Sequence, residues 1–161
     1  MENIPSSYYS ELVGDTGKQW QTLLDFGLAR ADTVEFAVPV NVKLWPAALQ
    51  PLASFLIQRT TSRTRWGNQQ ITSTTYLRYN ICLEVELFLR SQNRLVDWLF
   101  NMPQDPTFYQ HEVQVLWTIS HEELAFLQIT PQEAADLAGK GINLQLWPPG
   151  NREEYIHYPT F

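Results

Sequence analysis

The sequence predicts an α+β fold: an antiparallel-dominated sheet of about five strands built around a long β-hairpin, with helices mainly on one face. Three observations carry this. Leu77, Tyr79, Ile81, Leu83, Val85, Leu87 and Leu89 are apolar at every second position, the period of a strand with one buried face. Gly67-Asn68 separates that run from a Thr- and Arg-rich arm, Phe55 to Trp66. Glycine tolerates the positive φ of a two-residue hairpin turn, so the pair reads as the bend of a ribbon. Helix-period stretches with capping residues lie on either side of the ribbon.

Taken in order, residues 1–14 show no period and read as a loose arm. Asp15 or Thr16 caps a helix in which Trp20, Leu23, Leu24 and Leu28 recur at steps of three and four, to about Ala29. Val34, Phe36, Val38, Val40, Val42 and Leu44 form a strand. Pro39 places it at an edge or marks a bulge, because proline cannot donate to the ladder. Trp45-Pro46 ends it, and Ala47 to Leu56 reads as a short helix that leads into the first ribbon arm. The second arm is too long for one straight strand, and Asn80 is the expected site of a bulge or bend.

Beyond the ribbon, Ser91 or Asn93 caps a short helix carrying Leu95, Trp98 and Leu99, and Pro103 to Thr107 reads as loop. Val113, Val115, Trp117 and Ile119 alternate as a strand. Ser120 with Glu123, and Thr130 with Glu133, match the capping box that opens a helix. Pro131 suits the first position of the second of these helices, and Gly139 and Gly141 end it. Ile142, Leu144 and Leu146 give a last strand, ended by Trp147-Pro148-Pro149-Gly150. Residues 40–46 and 142–148 echo one another (VNVKLWP and INLQLWP), a likeness that a chain of this length produces by chance.

The 161 residues are expected to form one domain, 1–161. Hydrophobic residues make up 44% and charged residues 17%, which is a globular composition and not a disordered one. The single cysteine, Cys82, forbids an internal disulfide. No apolar run is long enough to span a membrane, and the first basic residue is Lys18, so no signal peptide is expected. A cytoplasmic protein is the simplest expectation.

The net charge is −6, but it is unevenly spread. Residues 58–94 hold six arginines against two glutamates, while residues 95–161 hold two basic groups against nine acidic ones. The ribbon is the cationic part of an acidic protein. A two-residue turn pairs Trp66 with Gln69, Thr64 with Ile71, Arg59 with Tyr76 and Ile57 with Arg78. That register sets Arg59, Arg63, Arg65 and Arg78 on one face with Tyr76 among them, and Leu56, Leu77, Tyr79 and Ile81 on the other.

These residues define the leading functional expectation: a non-enzymatic, soluble interaction module whose ribbon engages an acidic protein surface or its own second copy. Arg59, Arg63, Arg65, Tyr76 and Arg78 would make the contact. The plainer alternative is that the arginines protect an edge strand and pair with the protein's own carboxylates. A second expectation is a small-molecule binder or hydrolase-like enzyme with a pocket containing Asn80, Glu84 and Glu86. Two carboxylates on one face of a strand lie ~7 Å apart, a spacing suited to activating water. The same pattern describes an ordinary solvated strand face. Weak nucleic-acid binding through the arginine face is the third expectation, disfavoured by the net charge; if real, it would weaken steeply with salt. His111-Glu112 and His121-Glu122-Glu123 lack the one-turn histidine spacing of a metal helix and are expected to flank a strand, so no metal site is expected. No phosphate-binding, nucleophile-elbow or CxxC motif occurs, and no cofactor is expected.

Overall fold

The computed structural model describes residues 4–39, 47–66, 70–99 and 102–147. The expected bend at Gly67-Asn68, the strand end at Val40 to Leu44, the first copy of the echo and the tail beyond Trp147 lie outside these residues. The class is α+β, but the described residues form one sheet of eight strands and not about five. Their order is β3-β4-β2-β5-β6-β7-β1-β8, with every pairing antiparallel. The strands are β1 (Ser6–Glu11), β2 (Thr33–Pro39), β3 (Leu56–Trp66), β4 (Gln70–Asn80), β5 (Gln104–Gln110), β6 (Val113–Ile119), β7 (Leu124–Ile129) and β8 (Gln145–Leu146). The α-helices are α1 (Thr16–Arg30), α2 (Leu83–Arg90) and α3 (Pro131–Gly139). Short 3-10 turns occupy Ala47–Phe55, Leu95–Asp97 and Ser120–Glu122.

The three unexpected strands each hide for a physical reason. β1 is mostly Ser, Tyr and Glu, which give no apolar alternation, yet it pairs with β7 along its whole length. β5 contains Pro106, which argues against a central strand. The structure tolerates it at a bulge: Glu35 pairs with Thr107 and Ala37 with Gln104, so Asp105 and Pro106 together face the single residue Phe36. Asp105 there has φ 52° and its carboxylate accepts from the Ser120 N–H at 2.7 Å. β7 is apolar on both faces, with Ala125, Phe126, Leu127 and Ile129 all buried, so it shows no period of two. Ser120 and Glu123 do not open a helix. Glu123 turns left-handed at φ 51° and the chain enters β7.

The largest correction concerns 81–90. β4 ends at Asn80, the expected break, but the chain then coils into α2 instead of continuing as a strand. Alternate apolar residues also contain pairs four apart, and a helix uses those. Val85 and Leu89 are fully buried, whereas Leu83 and Leu87 are left 65% and 60% exposed. Arg90 closes an ion pair with Glu86 one turn earlier, at 3.0 Å, and reaches Asp25 of α1 at 2.8 Å.

α1 and α3 follow their expected signals, whereas the helix expected after Ser91 or Asn93 is only a 3-10 turn, Leu95–Asp97, with Arg94 and not Ser91 or Asn93 at its N-cap. Asp15 accepts from the Lys18 N–H at 3.2 Å and caps α1. Thr130 and Glu133 form a reciprocal box at the start of α3, and Arg30 of α1 pairs with Glu133. Trp20, Leu23 and Leu24 of α1, Val85 and Leu89 of α2, and Ala134 and Leu137 of α3 join one core with Val34, Phe36, Leu77, Tyr79, Phe108, Leu116 and Leu127. α1 lies close to the sheet at Gly27. A Cβ there would stand 3.1 Å from the Phe108 ring, so glycine sets the approach distance. A second cluster, Trp117, Phe126 and Trp147, sits on the opposite parity of β6 and β7.

Candidate functional site

The register of the ribbon decides what its arginines can do. At its base Leu56 pairs with Tyr79, as the sequence implies. A bulge then falls at Ile57, not at Asn80, and the remaining pairs run from Gln58 with Arg78 to Trp66 with Gln70. Three residues therefore separate the arms, not two. A shift of one residue moves every side chain beyond it to the other face. Arg59, Arg63 and Arg65 lie opposite Leu77, Ser73 and Ile71, whereas Tyr76 and Arg78 lie opposite Thr60 and Gln58. The expected single arginine face is thus divided. Positions 59, 63 and 65 share one parity of the ribbon, and Tyr76 and Arg78 the other.

β3 is the outermost strand, and no described strand lies beyond it. Ile57, Gln58, Arg59 and Thr61 are exposed. The ribbon also outruns its neighbour: the last described β2 pairing is Pro39 with Thr74, while β3 and β4 remain paired to Trp66 and Gln70. Pro39 is tolerated for a related reason. β2 is a central strand, not an edge, but β5 accompanies it only to Ala37.

Arg78 is not on the surface at all; it is 4% exposed. β2, β4 and β5 bring it to Glu35 and Tyr109, which sit on the sheet face opposite the helices. The Arg78 Nη2 stands 3.2 Å from Glu35 Oε2, and its Cζ lies 3.8 Å from the centre of the Tyr109 ring. The Tyr109 hydroxyl donates to Glu35 Oε1 at 3.1 Å and accepts from Gln114 Nε2 at 3.2 Å. Arg78 Nη1 donates to Glu112 Oε2 at 2.6 Å. Glu112 and His111 form the two-residue turn between β5 and β6, with φ 66° and 46°. That left-handed pair usually needs Asn or Gly and costs about 1–2 kcal/mol per residue otherwise. The turn is held by the His111 N–H donating to Asp32 at 3.0 Å.

The electrostatics of this cluster are asymmetric. Burial pushes the Glu35 carboxyl above its ordinary range, and Arg78 and Tyr109 offset only part of that. Burial also works against the Arg78 charge, but Glu112 and Glu35 outweigh it and hold the guanidinium charged. Burial, with the Glu35 charge adding to it, pushes the Tyr109 phenol up to about 12. Burial likewise raises the Asp105 carboxyl, against the Ser120 hydrogen bonds. A carboxyl raised in the folded state favours folding while protonated, so its contribution is present below the ordinary value of 4.5 and is lost as pH rises through the folded value. Urea midpoints measured from pH 4 to pH 8 should therefore fall more steeply for the native chain than for Glu35→Gln, which lacks the Glu35 contribution. Parallel curves would show that Glu35 ionises as easily in the folded chain as in the unfolded one.

The alternative pocket is not assembled. Asn80 is exposed at the end of β4, and Glu84 is exposed in the first turn of α2. Glu86 pairs with Arg90. Residues two apart on a helix point in different directions, so Glu84 and Glu86 do not converge as they would on a strand. Both instead favour the helix start, where acidic groups meet the positive end of the dipole. His111-Glu112 and His121-Glu122-Glu123 sit at opposite ends of β6. Among the described residues no three His, Cys, Asp or Glu side chains are grouped to hold a metal.

The Glu35–Arg78–Tyr109 cluster was not visible in the sequence as a group. Glu35 alternates with Val34 and Phe36, which is a signal that it faces away from the core. Nothing in the sequence shows that Arg78 and Tyr109 arrive from either side. No family model, no curated protein and no solved structure matches this chain. Among the described residues no helix is long and apolar enough to cross a membrane.

Proposed function

We propose that this chain is an interaction module whose β3–β4 ribbon engages an acidic protein surface or a second copy of the chain. The observation that carries the reading is that β3, an eleven-residue strand bearing Arg59, Arg63 and Arg65, is the outermost strand of the described sheet. Backbone groups on the outer side of such a strand are a template for association. The cationic segment lies in a protein of net charge −6, so the ribbon differs in sign from the rest of the chain and would orient an acidic partner. Arg78 is removed from the contact set, because its charge is matched inside the protein by Glu35 and Glu112.

Charge reversal at both Arg63 and Arg65 is the direct test. Circular dichroism and urea midpoints should be unchanged to within about 0.5 kcal/mol. Association, followed by sedimentation for self-assembly and by pull-down on an acidic protein bait, should be abolished. Unaltered association in the double variant would rule out the ribbon as the contact.

A further inference from the structure

We infer that the outer edge of β3 takes up an extended acidic segment of a partner protein as an additional strand. This rests on the ribbon reading and narrows it to one mode and one partner chemistry. The geometry favours strand addition over contact with a folded acidic surface. From Gln58 to Trp66 the strand is paired without interruption on its β4 side, and no described strand covers the other side. An added strand gains affinity from main-chain hydrogen bonds and specificity from side chains at alternate positions. The bulge at Ile57 sets the inner limit of the pairing, because a bulge breaks the ladder.

The placement of the arginines selects the partner. Positions 59, 63 and 65 share one parity of β3, so carboxylates at alternate positions of an incoming strand can lie directly opposite them. Opposite charges in such pairs are favourable and like charges are not. A second copy meets the opposite condition. Two β3 strands related by a dyad pair residue i with a residue whose number completes a fixed sum. The register that pairs the uninterrupted stretch from Gln58 to Trp66, centred on Ser62, sets Arg59 against Arg65 and Arg63 against Thr61. The arginine positions of both copies then fall on one parity of the joint sheet. The edge is therefore built against itself and toward an acidic strand, which is how charge on an edge acts as protection and as selection at once.

The probe is a fluorescein-labelled decapeptide of alternating Thr and Glu, titrated with the full chain and read by anisotropy. Three controls accompany it: the same peptide with every amide N-methylated, a Thr-Lys peptide, and the chain carrying Arg63→Glu and Arg65→Glu. The inference expects binding of the Thr-Glu peptide, loss of about tenfold or more in affinity on N-methylation, and no binding by the Thr-Lys peptide or the double variant. Equal binding of the methylated peptide would overturn strand addition while leaving the acidic-partner reading in place. No peptide binding, together with a dimer that the double variant dissolves, would replace the acidic segment by a second copy. Neither peptide binding nor self-association that depends on Arg63 and Arg65 would remove both the inference and the reading beneath it.

Discussion

Arg78→Met is expected to destabilise the protein by about 3–5 kcal/mol at neutral pH, the cost of leaving one member of a buried ion pair without its partner. The side chain is 4% exposed, and Glu35 beside it is 6% exposed. Methionine fills much of the space but offers no charge, so Glu35 keeps only the Tyr109 hydroxyl as a donor. Glu112 loses its partner too, but it is exposed and water replaces the guanidinium. The defect should therefore shrink as pH falls, because a protonated Glu35 no longer needs Arg78. Adding Glu35→Leu removes the orphaned carboxylate and should restore a large part of the loss. Arg78→Lys should fare poorly despite its charge, since an ammonium cannot stack on the Tyr109 ring while reaching both carboxylates. Urea denaturation of the single and double variants at pH 5 and pH 8 checks each step. A double variant less stable than Arg78→Met alone would mean that Glu35 supports the fold independently of the ion pair.

This cluster also explains why the arginine face could be only half read from the sequence. The strands of the ribbon were legible because Thr and alternate apolar residues favour a pleated surface. The register was not, because it depends on a bulge at Ile57 that no residue preference announces. One inserted residue was enough to separate Arg78 and Tyr76 from Arg59, Arg63 and Arg65. Helices with a side-chain cap, α1 at Asp15 and α3 at Thr130, were placed within a residue or two of their observed starts. α2 is not legible as a helix because its N-cap, Cys82, makes no side-chain capping bond, and its alternating leucines imitate a strand. β5 and β7 are hidden in the sequence for opposite reasons. One carries a proline that a bulge absorbs, and the other is buried on both faces. The expected face of Arg59, Arg63, Arg65, Tyr76 and Arg78 is divided by that one inserted residue. The candidate pocket does not form, since Glu84 and Glu86 had to share a strand.

Phe36→Ala is expected to cost about 3–5 kcal/mol, the range for truncating a fully buried aromatic side chain. Phe36 has no exposed surface and joins three parts of the core. Its ring lies 6.1 Å from Tyr79 of β4, 5.8 Å from Phe88 of α2 and 5.5 Å from Trp98, centroid to centroid. It also stands at the β2 position that faces Asp105 and Pro106 of the bulged β5, so the backbone there cannot close easily around a void. Phe88 contacts both Phe36 and Trp98 but is only partly buried, and water can refill its place. Phe88→Ala should therefore cost clearly less than Phe36→Ala, with the two effects falling short of additive in the double variant because they share neighbours. The damage should also be local in a readable way. Amide exchange should quicken first in α2, which would lose the Phe36–Phe88 contact to β2, while the β3–β4 ladder, held by ten described residue pairs, exchanges later. Equal costs for the two alanine variants would place the centre of this core elsewhere. Exchange that quickens first in β3 would tie the ribbon to the core more closely than its position at the sheet margin implies, and the ribbon could then not be treated as a surface that partners engage without disturbing the fold.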